Sequence, residues 1–459
     1  MEITNQNKIK SIIAFMFPAI VIFGNYSLGE VRIFGLMLTI GRVLIPLIFL
    51  YLLTDDLKQH KEKILPAPRS REGILLIVLA IWVVYAAITI VLMPYADFHN
   101  GILEMIALVL GAMIVINMVI LCREGNWDSI MTGLKVAIFI TLFIGVYEII
   151  TGNHLSTSRF CDPEFIRVNK ELFGDEADTF RWYVATSIFF NENDYSAMIA
   201  VFAPLLYCGQ RYAFKLAKGV DLILLDLCFA VLYFNNAFIC FVAYLVGLAI
   251  VVLFGTENNK EKVIVVFSLV ITRILVYFFE NRIGLKLGMG DTLLAQIDSK
   301  MNGMGSMAYR LNTYSVTLSE TFSTSKGMGF GAGSFTKYFS QFAESRMIMS
   351  NPHCFWFEIL AEYGILILGL FAGVLIFLMA GLIIKYMQSK KVQFIAVIAS
   401  GASLIIACVA PSTYLKSAYY WLPIAMAVYL ADIYEPDLTE SNEPFGFAET
   451  SVIDQKPKE

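Results

Sequence analysis

The chain has 459 residues, of which 58% are hydrophobic and only 16% are charged, and its mean hydropathy is +0.68. Soluble globular domains typically carry about 25% charged residues, so this composition excludes an ordinary soluble enzyme. The formal net charge of −4 says little about partners in a protein whose charges are segregated by leaflet, and no nucleic-acid partner is expected.

Apolar runs long enough to cross a bilayer recur along the whole chain. A hydrocarbon core of about 30 Å requires about 20 apolar residues per helix. The sequence therefore predicts an all-α fold, a polytopic transmembrane bundle of about twelve helices within residues 1–433. The predicted spans are 8–28, 33–53, 72–93, 101–121, 130–150, 184–207, 219–233, 237–255, 263–281, 354–384, 392–411 and 417–433. The stretch 219–255 is too long for one span and is divided at Asn235-Asn236.

The basic residues of the short loops predict the orientation. With a cytoplasmic N-terminus, the short outer loops contain only Arg32 and Lys416, as the positive-inside rule requires. Both termini are then cytoplasmic, in the plasma or inner membrane, and two long loops, 151–183 and 282–353, lie outside. The first span has no A-x-A-like cleavage site and is read as an uncleaved helix. The acidic tail 434–459 is predicted to be a disordered cytoplasmic extension.

The loop 282–353 contains a helical pattern. Met307, Leu311, Tyr314, Leu318 and Phe322 recur at the spacing of one helical face, which predicts an amphipathic helix on the outer membrane surface. Arg310 falls on the flank of this stripe, at the level where lipid-linked phosphate would arrive. An interfacial anchor that pairs with ordinary lipid phosphate explains the pattern equally well.

Alternating glycines follow this helix. Gly329 and Gly331, within the stretch 327–335, allow tight turns and a close backbone approach to a ligand. The stretch lacks the G-x-x-x-x-G-K-[ST] pattern of a P-loop.

Asn351-Pro352-His353 leads into the span that begins at Cys354. Asn is a favoured helix N-cap and Pro a favoured first residue, so His353 is predicted in the first helical turn. There the helix dipole keeps the imidazole neutral and attracts phosphate. Glu358 and Glu362 follow one turn apart and are expected to orient the histidine or to pair with an arginine. A polar residue that marks the membrane interface remains the simpler interpretation of a lone histidine.

The loop 151–183 carries charges of both signs, which favours a solvated surface. Arg181 differs because it directly precedes a span whose early turns hold Asn191, Glu192, Asn193 and Asp194. Consecutive polar residues inside a span need a cavity, a partner helix or a helix break, and we expect a hydrophilic chamber open to the outer face. Arg273 and Arg42 either line this chamber or neutralise Asp226 and Glu148.

Metal and nucleotide chemistry are not indicated. The four histidines, His60, His99, His154 and His353, are not spaced as metal ligands, so no metal and no other cofactor is expected. No D-x-D pair is present to hold the metal of a nucleotide-sugar donor. Most cysteines fall in or beside spans, and only Cys161 and Cys354 are placed to meet outside the membrane.

Several of these motifs together resemble the O-antigen ligase and polymerase family. The resemblance is carried by Arg310, by the glycines of 327–335, by Asn351-Pro352-His353 running into 357–364, and by the F-x-N-x-N-D-like stretch 187–197. Two positions depart from the family pattern. Asn235-Asn236 stands where many members have an arginine, and Cys354 stands where Asn is common.

The resemblance implies a metal-independent glycosyltransferase. It would take a glycan from an undecaprenyl-diphosphate carrier on the outer membrane face and transfer it to the hydroxyl of a glycan acceptor. By analogy, Arg310 binds the diphosphate and His353 activates the acceptor or positions the donor. The candidate substrate-binding residues are Arg181, Arg273, Asn191, Asn193, Asp194, Glu358, Glu362, Gly329 and Gly331.

Three functions remain open. A polymerase for capsular or teichuronic-acid-like polysaccharide is favoured, with a flippase and a chain-length regulator as expected partners. A ligase differs only in its acceptor, which is a lipid or wall component. A lipid-linked glycan flippase or other transporter would also need a charged chamber, but the sequence lacks the internal repeats common in transporters.

Overall fold

The computed structural model describes residues 2–24, 26–33, 36–60, 67–173, 184–208, 219–255, 259–282, 306–343, 345–349, 351–411 and 415–433. This part of the chain is all-α apart from one antiparallel hairpin, β1 Ser27–Ile33 and β2 Leu36–Thr39. The α-helices are α1 Glu2–Ile22, α2 Ile40–His60, α3 Arg71–Leu92, α4 Phe98–Arg123, α5 Trp127–Thr151, α6 Pro163–Phe173, α7 Glu192–Cys208, α8 Gly219–Phe234, α9 Phe238–Phe254, α10 Asn259–Arg282, α11 Ser306–Ser323, α12 Ser334–Phe339, α13 Phe355–Ser389, α14 Val392–Ala407 and α15 Trp421–Val428. The predicted tail 434–459 lies outside the described residues.

Every predicted span overlaps one helix, but two spans begin later than the sequence suggests. The hairpin occupies the beginning of the span 33–53, so α2 starts at Ile40, where the Thr39 hydroxyl accepts a hydrogen bond from the Arg42 N–H at 3.4 Å. Residues 184–191 are not helical, and α7 starts at Glu192. A hydrophobicity window does not detect either boundary because the residues before each helix are themselves apolar.

The division of 219–255 at Asn235-Asn236 is confirmed. Helix α8 ends at Phe234, Asn236 adopts a left-handed conformation with φ 52°, and α9 begins at Phe238. The Asn235 amide is buried and bonds both backbone groups of Ala185, at 2.7 and 2.9 Å, and the Ser196 hydroxyl at 3.0 Å. Asn235 is tolerated inside the bundle because its side-chain hydrogen bonds are satisfied, whereas Asn236 is exposed.

Four helices, α3, α4, α5 and α13, are long and apolar enough to cross a membrane. Their outward faces are apolar as well. On α3 the exposed side chains include Ile77, Ile81, Val84 and Ile88. An outer surface of this kind is costly in water and suits lipid, so the fold indicates a membrane protein.

A layer of ion pairs joins several helix ends at one end of the bundle. Lys10 of α1 is buried and pairs with Asp55 of α2 and with Glu124, which follows α4. Arg123 pairs with Glu72 of α3 at 2.8 Å. The N-termini of α1 and α3 therefore lie beside the C-termini of α2 and α4, as expected if consecutive helices alternate in direction.

Candidate functional site

Arg310 of α11 reaches the chain just beyond the end of α14. One terminal guanidinium nitrogen, Nη1, donates to the Val409 carbonyl at 2.9 Å, and Nη2 lies 3.5 Å from the Ala410 carbonyl. Because α14 ends at Ala407, these two carbonyls lie beyond the regular helix and are open to a side-chain donor. A cation is also favourable at the C-terminus of a helix.

The charge of Arg310 is not neutralised by its neighbours. Among the residues that the structure describes, no carboxylate pairs with Arg310, and its contacts are neutral carbonyls. Its Nε is buried and has no hydrogen-bond partner there. A half-buried guanidinium with an unused N–H and an uncompensated charge is suited to an anionic ligand, above all to phosphate.

His353 lies at the same carbonyl. Its Nδ1 is 3.5 Å from the Ala410 oxygen, and its backbone is left-handed, with φ 47°. The Tyr314 hydroxyl donates to the His353 carbonyl at 2.9 Å, and the Tyr314 ring stacks on Phe357 with 4.5 Å between centroids and 6° between planes. The unfavourable backbone conformation of His353 is thus held by α11 from one side.

The His353 ring is neutral near pH 7. Burial, and after it the positive charge of Arg310, lower its pKa to about 4. If Nδ1 carries the proton and donates to Ala410, Nε2 keeps its lone pair and can accept a proton.

The predicted reason for this neutrality was wrong. Helix α13 starts at Phe355 with Cys354 as its N-cap residue, so His353 precedes the helix and is not in its first turn. Asn351 is not the cap either: its side-chain oxygen lies 3.4 Å from the Thr336 hydroxyl, which donates to it. Burial and the charge of Arg310, not the helix dipole, lower the pKa of His353.

Glu358 and Glu362 are both buried on α13, but their partners differ from those expected. One Glu358 oxygen lies 3.4 Å from the Leu415 N–H. Glu362 accepts from the Phe335 N–H at 3.1 Å and lies against Glu104 of α4. Within the described residues, no arginine pairs with Glu362, so the expected arginine partner is not found.

The glycine stretch packs against the protein itself. Gly329 has φ 82°, and a Cβ there would come within 2.6 Å of the Glu362 carbonyl oxygen. Gly331 has φ 100° and donates its N–H to the same carbonyl at 2.9 Å. Helix α13 opens at this point, because Gly364 adopts φ 75°, ψ −177°. These glycines make a close backbone approach to α13.

The polar run 191–194 forms the start of α7. Asn191 accepts from the Asp194 N–H at 2.8 Å, and its amide donates to the Asp194 carboxylate at 2.9 Å, which is a reciprocal N-terminal cap. Glu192 pairs with Arg159 at 2.7 Å, and Asn193 is half-buried in the first turn. The expected helix break explains these residues, and Arg181 lies outside the described residues.

Asp194 is nevertheless near the Arg310 site. The buried Cys240 thiol lies within electrostatic range of both Arg310 and Asp194. The Tyr419 hydroxyl is also 3.5 Å from the Asp194 carbonyl. The start of α7 and the chain after α14 therefore meet on one side of the bundle.

Arg273 of α10 has aromatic neighbours. Its guanidinium carbon lies 4.6 Å from the centroid of the Tyr233 ring and 5.9 Å from that of Tyr277. The contact is a cation–π interaction, and the described contacts do not bring Arg273 to His353 or Arg310.

Two participants in the site were missed by sequence reasoning. The Ala410 carbonyl carries no residue-type signal, and the Tyr314 hydroxyl is hidden in a position that reads as part of an apolar stripe. No three His, Cys, Asp or Glu side chains in the described part of the chain are arranged to hold a metal ion.

The chain matches no protein-family model and no curated protein sequence. What the site can do chemically therefore follows from its own geometry. The Arg310 guanidinium, with an unused N–H, and the neutral His353 imidazole lie at the same carbonyl. The guanidinium can therefore bind an anionic leaving group while the imidazole accepts a proton from a hydroxyl nucleophile at an adjacent position.

Proposed function

We propose that the chain is a membrane glycosyltransferase that polymerises undecaprenyl-diphosphate-linked oligosaccharide repeat units at the outer face of the cytoplasmic membrane. The observation that supports this most directly is the half-buried Arg310, whose described partners are neutral carbonyls, beside the neutral His353. A diphosphate leaving group needs a cation such as Arg310, and an acceptor hydroxyl needs a proton acceptor such as His353.

The proposed reaction is a displacement at the anomeric carbon of the donor glycan. The acceptor oxygen forms a bond to this carbon, and the bond from the carbon to the diphosphate oxygen breaks, with the electron pair leaving on the diphosphate. Arg310 stabilises the charge that develops on the leaving group. Nε2 of His353 takes the proton of the acceptor hydroxyl.

The proposed reaction takes place at the outer face of the membrane. Twelve helices cross the bilayer, both termini are cytoplasmic, and α11 lies on the outer surface. The exposed side chains of α11 support this placement, because Leu311, Leu318 and Phe322 face away from the protein whereas Thr313 and Thr317 are buried against it. A second carrier-linked repeat unit is the favoured acceptor, and a lipid or wall acceptor would make the protein a ligase.

The test is a purified-protein assay in detergent. A carrier-linked oligosaccharide is incubated with the protein, and product length is followed by gel electrophoresis and mass spectrometry. We expect lengthening that Arg310→Ala abolishes and that Arg346→Ala, an exposed arginine paired with Glu320 at 3.2 Å, leaves intact. Absence of product in detergent, together with carrier-linked glycan movement in sealed proteoliposomes, would instead identify a transporter.

A further inference from the structure

Two cysteines meet directly behind the Arg310–His353 site. Cys354 is the N-cap residue of α13 and Cys408 is the C-cap residue of α14. The Phe355 N–H donates to the Cys408 carbonyl at 3.2 Å, and the Cys408 thiol, which donates to the Ile405 carbonyl at 3.0 Å, lies beside the Cys354 thiol. Both side chains are buried.

This arrangement corrects the pairing considered from the sequence. Cys161 and Cys354 were the only two cysteines that the sequence placed to meet outside the membrane, but the Cys161 side chain is exposed and its thiol lies 3.7 Å from the His154 carbonyl. Cys408 had been assigned to the interior of a span. Instead, it lies at the end of α14, where the chain turns toward Ala410.

We propose that Cys354 and Cys408 are a disulfide-forming pair that fixes the backbone of this site. A disulfide requires Cα atoms within about 7 Å and side chains that point toward each other. The backbone hydrogen bond from the residue after Cys354 to the Cys408 carbonyl holds the two segments adjacent, and both thiols are buried side by side at this point.

The bond forms by thiol–disulfide exchange with a disulfide oxidant. One cysteine sulfur attacks the oxidant's disulfide, and one oxidant thiol leaves with a proton. The second cysteine then attacks the mixed disulfide and releases the second thiol. Two cysteine thiols are oxidised and one external disulfide is reduced to two thiols. Cys408 also borders an apolar cavity of about 40 Å³, lined in part by Phe355, Trp356 and Tyr420.

A disulfide between Cys354 and Cys408 would restrain the backbone of the Arg310–His353 site. His353 directly precedes Cys354, and Val409 and Ala410 directly follow Cys408. A covalent bridge between the two cysteines therefore ties the backbone of His353 to the carbonyls that hold Arg310. The oxidised protein should keep this geometry against thermal motion, with an apparent Tm a few degrees above that of the reduced protein.

The experiment is differential thiol labelling of the full chain in membranes. Membranes are treated with diamide, and free thiols are blocked with light N-ethylmaleimide under denaturing conditions. The sample is then reduced, and the released thiols are labelled with heavy N-ethylmaleimide for peptide mass spectrometry. We expect heavy label on both Cys354 and Cys408, and light label on the buried control cysteines Cys122 and Cys240.

Single-cysteine variants test whether Cys354 and Cys408 pair with each other. In Cys354→Ser, Cys408 should carry light label, and in Cys408→Ser, Cys354 should do the same. Light label on both residues of the unmodified chain after diamide would overturn the proposal, as would heavy label shared between Cys354 and Cys161. The readout does not involve glycosyl transfer, so its outcome is independent of the proposed function.

Discussion

Arg310 and His353 point at the same backbone oxygen, the carbonyl of Ala410. Nη2 of the arginine and Nδ1 of the histidine each lie 3.5 Å from it. A single carbonyl thereby sets the distance between a cation and a neutral base that come from different elements. Burial and then the positive charge of Arg310 lower the pKa of the imidazole, so the two groups are coupled electrostatically as well as by position.

Two substitutions of Arg310 should separate the contribution of its charge from that of its hydrogen-bonding geometry. Arg310→Ala should reduce kcat by about 100-fold to 1,000-fold, because it removes a donor to the developing charge of the leaving group. Arg310→Lys keeps the charge but cannot donate to two carbonyls in the same way, and we expect an intermediate rate. Steady-state kinetics with a carrier-linked oligosaccharide measure both. An Arg310→Ala rate equal to that of the Arg346→Ala control would remove Arg310 from the reaction.

The pH dependence should report the lowered pKa of His353. Since the ring is the proton acceptor, kcat/KM should stay constant from neutral pH down to about pH 5 and fall only toward pH 4. An ordinary histidine would give a midpoint near pH 6.5. Arg310→Lys should leave this midpoint in place, whereas any residual activity of Arg310→Gln should show it at higher pH. A midpoint near 6.5 in the unmodified protein would contradict the assignment.

The same pKa predicts how folding stability depends on pH. Below pH 6.5 the unfolded chain binds a proton at His353 that the folded chain does not, so stability is lost as pH falls from 6.5 toward 4. The loss over this window is about 3 kcal/mol. Thermal unfolding of His353→Gln in detergent should therefore lack part of the acid destabilisation seen in the unmodified protein. Identical pH profiles for the two would be evidence against a buried neutral ring.

Tyr314 should act on the reaction through the position of His353. Tyr314→Phe removes the hydroxyl that bonds the His353 carbonyl but keeps the ring that stacks on Phe357. We expect a loss of about 1 kcal/mol, seen as a roughly fivefold lower kcat with little change in KM. Tyr314→Ala also loses the aromatic pair and should be worse in both activity and thermal stability. A Tyr314→Phe variant that changes KM alone would indicate a role in binding instead.

The two chemically important side chains of the site could be identified from the sequence, but the contacts between them could not. Arg310 and His353 stand out because charged and titratable side chains are rare in this chain. Ala410 is 100 residues from Arg310 and contributes only its backbone, which has no signature in a sequence. Asn191 and Asp194 stood out as polar residues inside a predicted span, but the apolar residues before them placed the predicted boundary eight residues upstream of the helix start at Glu192. The glycines of 327–335 signalled a tight turn, and only tertiary packing shows which backbone they approach.

Gly364 offers a test of that packing. Its φ and ψ of 75° and −177° are accessible essentially to glycine alone, and a Cβ would lie 2.2 Å from the Gly327 carbonyl oxygen. Gly364→Ala should cost about 3 kcal/mol or more and lower the midpoint of thermal unfolding in detergent. Gly373→Ala is the matched control, because it lies on the same helix and its Cβ would meet no atom within 4 Å. Equal midpoints for the two variants would mean that α13 does not open at Gly364.

The contact between Glu104 and Glu362 leads to a prediction about charge. Glu104 accepts from the Tyr363 hydroxyl at 2.7 Å and from the Gly333 N–H at 3.0 Å, and the Glu362 carboxyl lies against it. Both carboxyl groups are buried, each 2% exposed, and Glu104 already accepts from two donors. A neutral donor at position 362 therefore suits Glu104 better than a second carboxylate. Glu362→Gln, whose amide can act as that donor, should then change the unfolding free energy by no more than about 0.5 kcal/mol.

Glu104→Ala should be much more damaging than Glu362→Gln. It leaves the Tyr363 hydroxyl and the Gly333 N–H buried without an acceptor, at a cost of about 1–3 kcal/mol for each group. Thermal unfolding of both variants in the same detergent gives the comparison. A large loss in Glu362→Gln would mean that this position requires a carboxylate. The interpretation of Glu362 as an arginine partner, suggested by the sequence, would then regain support.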